Sequence, residues 1–220
     1  MKKRRWNGLF VTFEGGEGAG KSSLISSLYD YLDDQGHDVL RSREPGGSPL
    51  GEMIRNTLLM PPKDVTIGAR AELCLFLAAR AQHIEEILVP ALEDGKIILC
   101  DRFNDSTIAY QGIGRGLGMD YVRQLCTQIC EGVTPDLTFY LDVAPHVGLH
   151  RASSTRAGSD RIESEEVSFH ERIRNGFLHI ASKEKNRFHI VDAHQPQQDV
   201  FEEVIEVVEH RLNRGKQGWE

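Results

Sequence analysis

Residues Gly15-Gly16-Glu17-Gly18-Ala19-Gly20-Lys21-Ser22 fit the phosphate-loop pattern G-x-x-x-x-G-K-[ST] without a mismatch. The pattern constrains the fold because it needs a strand before it and a helix after it. Both flanks are present. Leu9-Phe10-Val11-Thr12-Phe13 is a short apolar, β-prone run, and Ser22 to Tyr29 carries apolar residues at helical spacing. Glycines take φ > 0 and carry no Cβ, so successive backbone N–H groups can turn into one concavity. The helix start adds the positive end of its dipole. Gly15, Gly16, Glu17, Gly18, Ala19, Gly20, Lys21, Ser22 and Ser23 are therefore the expected cradle for a nucleoside triphosphate. Lys21 is expected to reach the β- and γ-phosphates, and the Ser22 hydroxyl to ligate Mg²⁺.

Further apolar runs read as strands at Asp38–Ser42, Ile97–Cys100, Leu137–Asp142 and Phe188–Asp192. Helical patterns lie between them, at about Ser22–Gln35, Leu50–Leu59, Gly68–Glu93 with a kink or restart at Pro90, Ser106–Gln111, Asp120–Glu131, Val147–Ala152, Ser168–Glu184 and Val200–Leu212. Gly112–Gly118 reads as a glycine-dense loop, and Arg151–Glu166 as a polar stretch without a period. Strands alternating with helices imply an α/β fold with a five-stranded parallel sheet flanked by helices. No linker or repeat divides residues 1–220, so one domain is expected.

The net charge of -7 disfavours bulk nucleic-acid binding, so positive charge must be concentrated at the phosphate site. No apolar run approaches 18 residues, hence no membrane span is expected, and no signal-peptide core follows the basic start. Cys74, Cys100, Cys126 and Cys130 lack zinc or C-x-x-C spacing. They read as buried, reduced thiols of a cytoplasmic protein.

Asp101 ends an apolar strand, as a Walker-B acid does, and could hold the Mg²⁺ shell opposite Ser22; capping the next helix is the alternative. Arg43, Arg55, Arg80, Arg102 and Arg115 fall in or near loops expected at one sheet edge. Any one of them could be solvated or ion-paired. Converging after a phosphate loop, they read as clamps on a second anionic ligand.

The ordered segments FEGGEGAGKSS, SREPGGSP, LFLAARAQH, DRFNDSTIAYQG and RxxxxRxxxxRIE resemble the bacterial thymidylate kinase family over about Leu9 to Leu212. REPGG and DR-x₄-T-x₂-YQG are specific to that family among phosphate-loop nucleotide kinases. The resemblance implies the phosphate-loop nucleoside triphosphatase fold in its nucleoside monophosphate kinase form. It also implies a homodimer with ATP and dTMP as ligands and transfer of the γ-phosphate to dTMP.

Residue by residue, the resemblance makes Phe76 the stacking platform for thymine, although a helix aromatic is more commonly core. Arg80 would bond the base, Thr107 and Gln111 would read its edge, and Tyr110 would crowd the 2′ carbon. Arg55 and Arg102 would clamp the dTMP phosphate, and Glu17 would sit near the 3′-hydroxyl. Glu44 and Asp101 would organise the metal and waters. The phosphate loop has no arginine after Glu17, so the chain resembles the type whose lid, about 151–166, supplies catalytic charge from Arg151, Arg156 or Arg161. Phe103 departs from the Tyr or His common after Asp-Arg. Two rivals stand beside this reading. One is a nucleotide switch, although an N-K-x-D base motif is absent. The other is a different nucleoside monophosphate kinase, separable at Phe76, Arg80 and Tyr110.

Overall fold

The computed structural model describes residues 6–155 and 160–217. Its five strands are β1 (Leu9–Gly15), β2 (Val39–Arg43), β3 (Ile97–Asp101), β4 (Leu137–Asp142) and β5 (Phe188–Asp192). All neighbours pair in parallel, in the order β2-β3-β1-β4-β5. Every residue of β1 is buried, as expected for the centre strand of a sheet covered on both faces. Two buried hydroxyls inside the sheet satisfy each other, Thr12 Oγ1 lying 2.8 Å from Thr138 Oγ1. β1 lies between β3 and β4, so the order reverses there, and a crevice opens at the carboxyl ends of these strands.

The helices are α1 (Lys21–Asp34), α2 (Pro49–Leu59), α3 (Ala69–His83), α4 (Val89–Glu93), α5 (Asn104–Thr107), α6 (Met119–Cys130), α7 (Pro145–Thr155), α8 (Val167–Lys183) and α9 (Gln197–Gln217). Leu24, Leu28 and Leu32 of α1 pack with Val200, Val204 and Val208 of α9 on one face of the sheet. The other face carries a cluster from α3, α6 and α8 and a smaller one around α4.

Three elements differ from the sequence expectation. The kink expected at Pro90 is a π-helical turn over Ile84–Leu88 that joins α3 to α4. Widening the turn before Pro90 removes the collision between its ring and the carbonyl four residues back. A second π-helical segment, Ile108–Gly114, takes up the start of the expected glycine loop. α7 runs on to Thr155, so part of the expected polar stretch is helical. Cys100, Cys126 and Cys130 are buried free thiols, but Cys74 is exposed, on the outward side of α3.

Two packing details position the crevice. Glu14, buried at the end of β1, accepts from the Phe103 amide at 2.9 Å, and Ser106 Oγ lies 2.5 Å from its other oxygen. These bonds fix the chain just after Arg102, whose φ of 72° places a non-glycine residue in the left-handed region. The second detail is a glycine pair. A Cβ on Gly148 of α7 would meet the Glu17 carbonyl oxygen at 2.2 Å, and one on Gly18 would meet the Gly148 carbonyl oxygen at 2.0 Å. α7 therefore rests backbone to backbone on the phosphate loop.

Both details are testable. Burial, and then Asp105, push the Glu14 carboxyl up to about 8, with Ser106 and Arg102 pulling the other way. Folded, Glu14 keeps its proton through neutral pH; unfolded, it loses the proton near its usual value of 4.5. Its contribution to stability is fully present below that value and is lost as pH rises toward 8. Gln can keep both hydrogen bonds and cannot ionise. Melting curves of Glu14→Gln and the unsubstituted protein should therefore separate in favour of the variant between pH 5 and pH 8.5. A gap that stays constant would remove the titration from Glu14. Gly148→Ala reverses a usual rule. Gly to Ala inside a helix ordinarily stabilises by about 0.5–1 kcal/mol. Here the clash with Glu17 should outweigh that gain and lower the Tm, and an unchanged or higher Tm would show that the contact can relax.

Candidate active site

The crevice is one continuous cleft of about 750 Å³. Its first half is built by the phosphate loop. α1 begins after Gly20, at φ 93°, and no side chain caps its first amides. Such unsatisfied N–H groups at a helix start are ready donors for an anion. Lys21 folds back so that Nζ donates to Gly15 O at 3.1 Å and Gly16 O at 2.9 Å. Burial and neighbouring Arg102 lower its pKa, with Asp101 and Glu17 partly offsetting them. Ser22 Oγ donates to Asp101 Oδ2 over 3.5 Å, while Asp101 Oδ1 is buried with no hydrogen-bond partner among the described residues. A hydroxyl beside a carboxylate with a spare buried oxygen fits a hard divalent cation.

The second half lies across Arg102. One guanidinium nitrogen of Arg102 donates to Glu17 Oε1 at 2.6 Å, another to Ser106 Oγ at 3.2 Å, and its centre lies 5.1 Å from the Tyr110 ring centroid. Burial opposes the Arg102 charge, yet Tyr110, Glu17 and Asp101 outweigh it and raise the pKa. Burial likewise pushes the Glu17 carboxyl up, but Arg102 and Lys21 hold it below the usual carboxylate range. Glu17 therefore stays ionised between two cations, with the Tyr110 hydroxyl 3.4 Å away.

Arg80 is 1% exposed, and each of its three guanidinium nitrogens has a partner. Nε donates to Glu44 Oε2 at 2.7 Å, one terminal nitrogen to Thr107 Oγ1 at 2.9 Å, and the other to Cys126 Sγ at 3.5 Å. The second Glu44 oxygen lies 2.9 Å from His83 Nδ1, and His83 Nε2 lies 2.6 Å from Ser42 Oγ. Burial raises the Glu44 carboxyl, but Arg80 and His83 bring it below its usual value. Glu44, Arg80 and Thr107 thus form one rigid chain along the cleft wall. Phe76 and Gln111 line the same wall, and Arg55 enters from α2 with a bond to Pro45 O at 2.9 Å.

The cleft gathers Lys21, Ser22, Ser23, Glu17, Glu44, Arg55, Phe76, Arg80, Asp101, Arg102, Thr107, Tyr110 and Gln111. Glu44 orients Arg80 through one carboxylate oxygen and meets His83 with the other. Three expectations change. Arg43 is half exposed and paired with Glu52 at 2.8 Å, outside the cleft. Arg115 is held by Glu72 and Glu165, also outside it. Arg161 is not directed at the phosphate loop. Its guanidinium donates to Glu72 Oε2 at 2.5 Å and to Leu58 O at 2.9 Å, which uses its charge on the α2–α3 side. Of the other lid arginines, Arg151 lines the cleft and donates to Ala193 O at 2.8 Å. Arg156 lies outside the described residues.

Several lining or supporting residues carried no usable sequence signal. Ala193, Gln195 and Pro196, after β5, border the phosphate-loop half beside Val200 and Phe201. Their place at a strand's carboxyl end was the one available clue. Ile162 reaches the cleft from the later part of the 151–166 stretch. Glu14 and Glu72 are buried acids that act on cleft residues without lining the cleft themselves.

Comparison with known proteins points to one family. The family model described as thymidylate kinase matches residues 13–204. The thymidylate kinase of Protochlamydia amoebophila is 47% identical over 217 residues, covering 96% of each chain. That of Finegoldia magna is 48% identical over 203 residues, covering 92% of this chain and 98% of its own. The crystal structure of thymidylate kinase from Ehrlichia chaffeensis superposes with a TM-score of 0.75 at 34% identity, over 91% of this chain and 98% of that one. On the sequence match and the structural superposition alike, the chain belongs to the thymidylate kinase family.

Proposed function

We propose that the protein transfers the γ-phosphoryl group of ATP to dTMP, giving dTDP and ADP, with Mg²⁺ bound beside Ser22 and Asp101. The observation that carries this reading is a single cleft with a phosphate loop at one end and a second, arginine-rich pocket at the other. A hydrolase needs only the first half. The dTMP phosphate is already an anionic oxygen nucleophile, so no strong general base is required, and transfer rests on positioning and charge.

Arg55 and Arg102 are assigned to the acceptor phosphate, Phe76 to stacking on the base, and Arg80, Thr107 and Gln111 to its polar edge. Tyr110, buried against Phe169 and Phe177, is assigned to excluding a 2′-hydroxyl. Glu17 orients Arg102 and faces the sugar. The triphosphate would replace the Gly15 and Gly16 carbonyls as partners of Lys21. The metal, when bound, neutralises charge on the donor phosphates. Arg151 and Arg156 are assigned to further charge from the lid. We also infer a homodimer; exposed Leu50, Met53, Met60 and Val65 on and after α2 offer apolar surface for one.

ADP release measured across dTMP, dUMP, AMP, CMP and GMP should give dTMP the highest kcat/KM. The substrate assignment is lost if AMP, CMP or GMP does as well. Lys21→Ala should keep a native circular dichroism spectrum and lose roughly 10²–10³ in kcat, the scale of one transition-state charge contact. Normal turnover in that variant would take Lys21 out of the reaction.

A further inference from the structure

Glu72, in the first turn of α3, is wholly buried and lies outside the cleft. Its two oxygens face different parts of the molecule. Oε1 accepts from Gln111 Nε2 at 2.8 Å and from Arg115 Nε at 3.1 Å. Oε2 accepts from Arg161 at 2.5 Å. Arg161 belongs to segment 160–166, which docks on the end of α2 through Arg161 N to Leu59 O at 3.2 Å and Arg161 Nε to Leu58 O at 2.9 Å. The same segment sends Glu165 to Arg115 at 2.5 Å. Burial pushes the Glu72 carboxyl up, but its bonds to Gln111, Arg115 and Arg161 outweigh burial and hold it below the usual range.

An ionised carboxylate only accepts hydrogen bonds. Gln111 must therefore turn its NH₂ to Glu72, which leaves its carbonyl oxygen as the polar end available to the cleft. An acceptor there matches the N3–H donor of thymine. It opposes cytosine, whose N3 carries a lone pair. The orientation holds while Glu72 stays charged, and a buried carboxylate is costly without full compensation. Two guanidinium groups compensate it while segment 160–166 is docked; only Arg115 remains once Arg161 is withdrawn.

We propose that Glu72 is a positioning residue that links docking of segment 160–166 to the hydrogen-bond polarity of the base pocket, through Arg161 on one oxygen and Gln111 on the other. The inference rests on the thymidylate reading of the acceptor. A merely structural ion pair would move the Tm and leave base discrimination unchanged.

The test uses the full chain with Glu72→Gln, Arg161→Gln and the double variant. Three readouts are taken: kcat/KM for dTMP and dCMP, KM for ATP, and hydrogen exchange of peptides 108–115 and 160–166. A Gln at position 72 can both donate and accept, so it no longer dictates which way Gln111 faces. Each single variant should lower the dTMP-to-dCMP ratio ~10-fold or more. The loss should appear as a higher dTMP KM, with the ATP KM unchanged. The double variant should be no worse than the Glu72→Gln single, because both act through one carboxylate. Both peptides should exchange faster in each variant. An unchanged ratio, with faster exchange confined to 160–166, overturns the proposal. If Glu72→Gln does not fold, Arg161→Gln decides alone: it leaves the acid in place but strips Oε2 of its guanidinium, so the half-compensated buried carboxyl can take up a proton and donate to Gln111. If the unsubstituted protein shows no preference for dTMP, the substrate reading falls, and joint or separate exchange of the two peptides still decides the coupling.

Discussion

The hydrogen bond from the Phe103 amide to Glu14 is the contact on which the cleft depends. The chain leaves β3 at Asp101 and must turn within one residue to present Arg102 to the acceptor half. A left-handed backbone at a long side chain costs on the order of 1–2 kcal/mol, and something must hold it. Glu14 does so from the neighbouring strand, one residue before the phosphate loop begins. The Arg102 amide also donates to Phe13 O at 3.0 Å. The phosphate loop and Arg102 are thereby referenced to the same short piece of β1, and their separation is set by the pairing of β1 with β3.

The same logic governs the charges. The chain is acidic overall, with a net charge of -7, yet its cleft must receive two phosphorylated ligands. It manages this by burying carboxylates behind arginines. Glu44 fixes Arg80 and Glu17 fixes Arg102. Each pair spends Coulombic attraction on orientation, so the planar forks are already aimed when a ligand arrives. That removes side-chain ordering from the cost of binding and from the barrier to transfer. The acids are as much a part of the anion site as the bases.

What could be read in the sequence follows from range. The strands were legible because runs such as Ile97-Ile98-Leu99-Cys100 are buried on both faces, which leaves an uninterrupted apolar signature. The phosphate loop was legible because its glycines and Lys21 act on their own local backbone. Partner choice between distant residues was not. Arg161 reads as a free lid cation until α3 brings Glu72 beside it, 89 positions away. Glu14 carries no local signal, because its partners Phe103 and Ser106 arrive from the far side of β3. The π-helical turn before Pro90 was invisible because its sequence keeps a helical period. Only the expected kink hinted at it.

Cys74 gives the fold an experimental handle. Three of the four thiols are buried, and burial raises their pKa, that of Cys130 to about 12, which suppresses the reactive thiolate. Cys74 alone among the four is exposed. It sits two positions before Phe76 on the same helix, and residues so spaced point away from each other. A fluorophore coupled to the native protein would therefore report from the back of α3, the helix that carries Phe76, while leaving the cleft open. Occupancy of that pocket becomes an optical signal without any engineered cysteine.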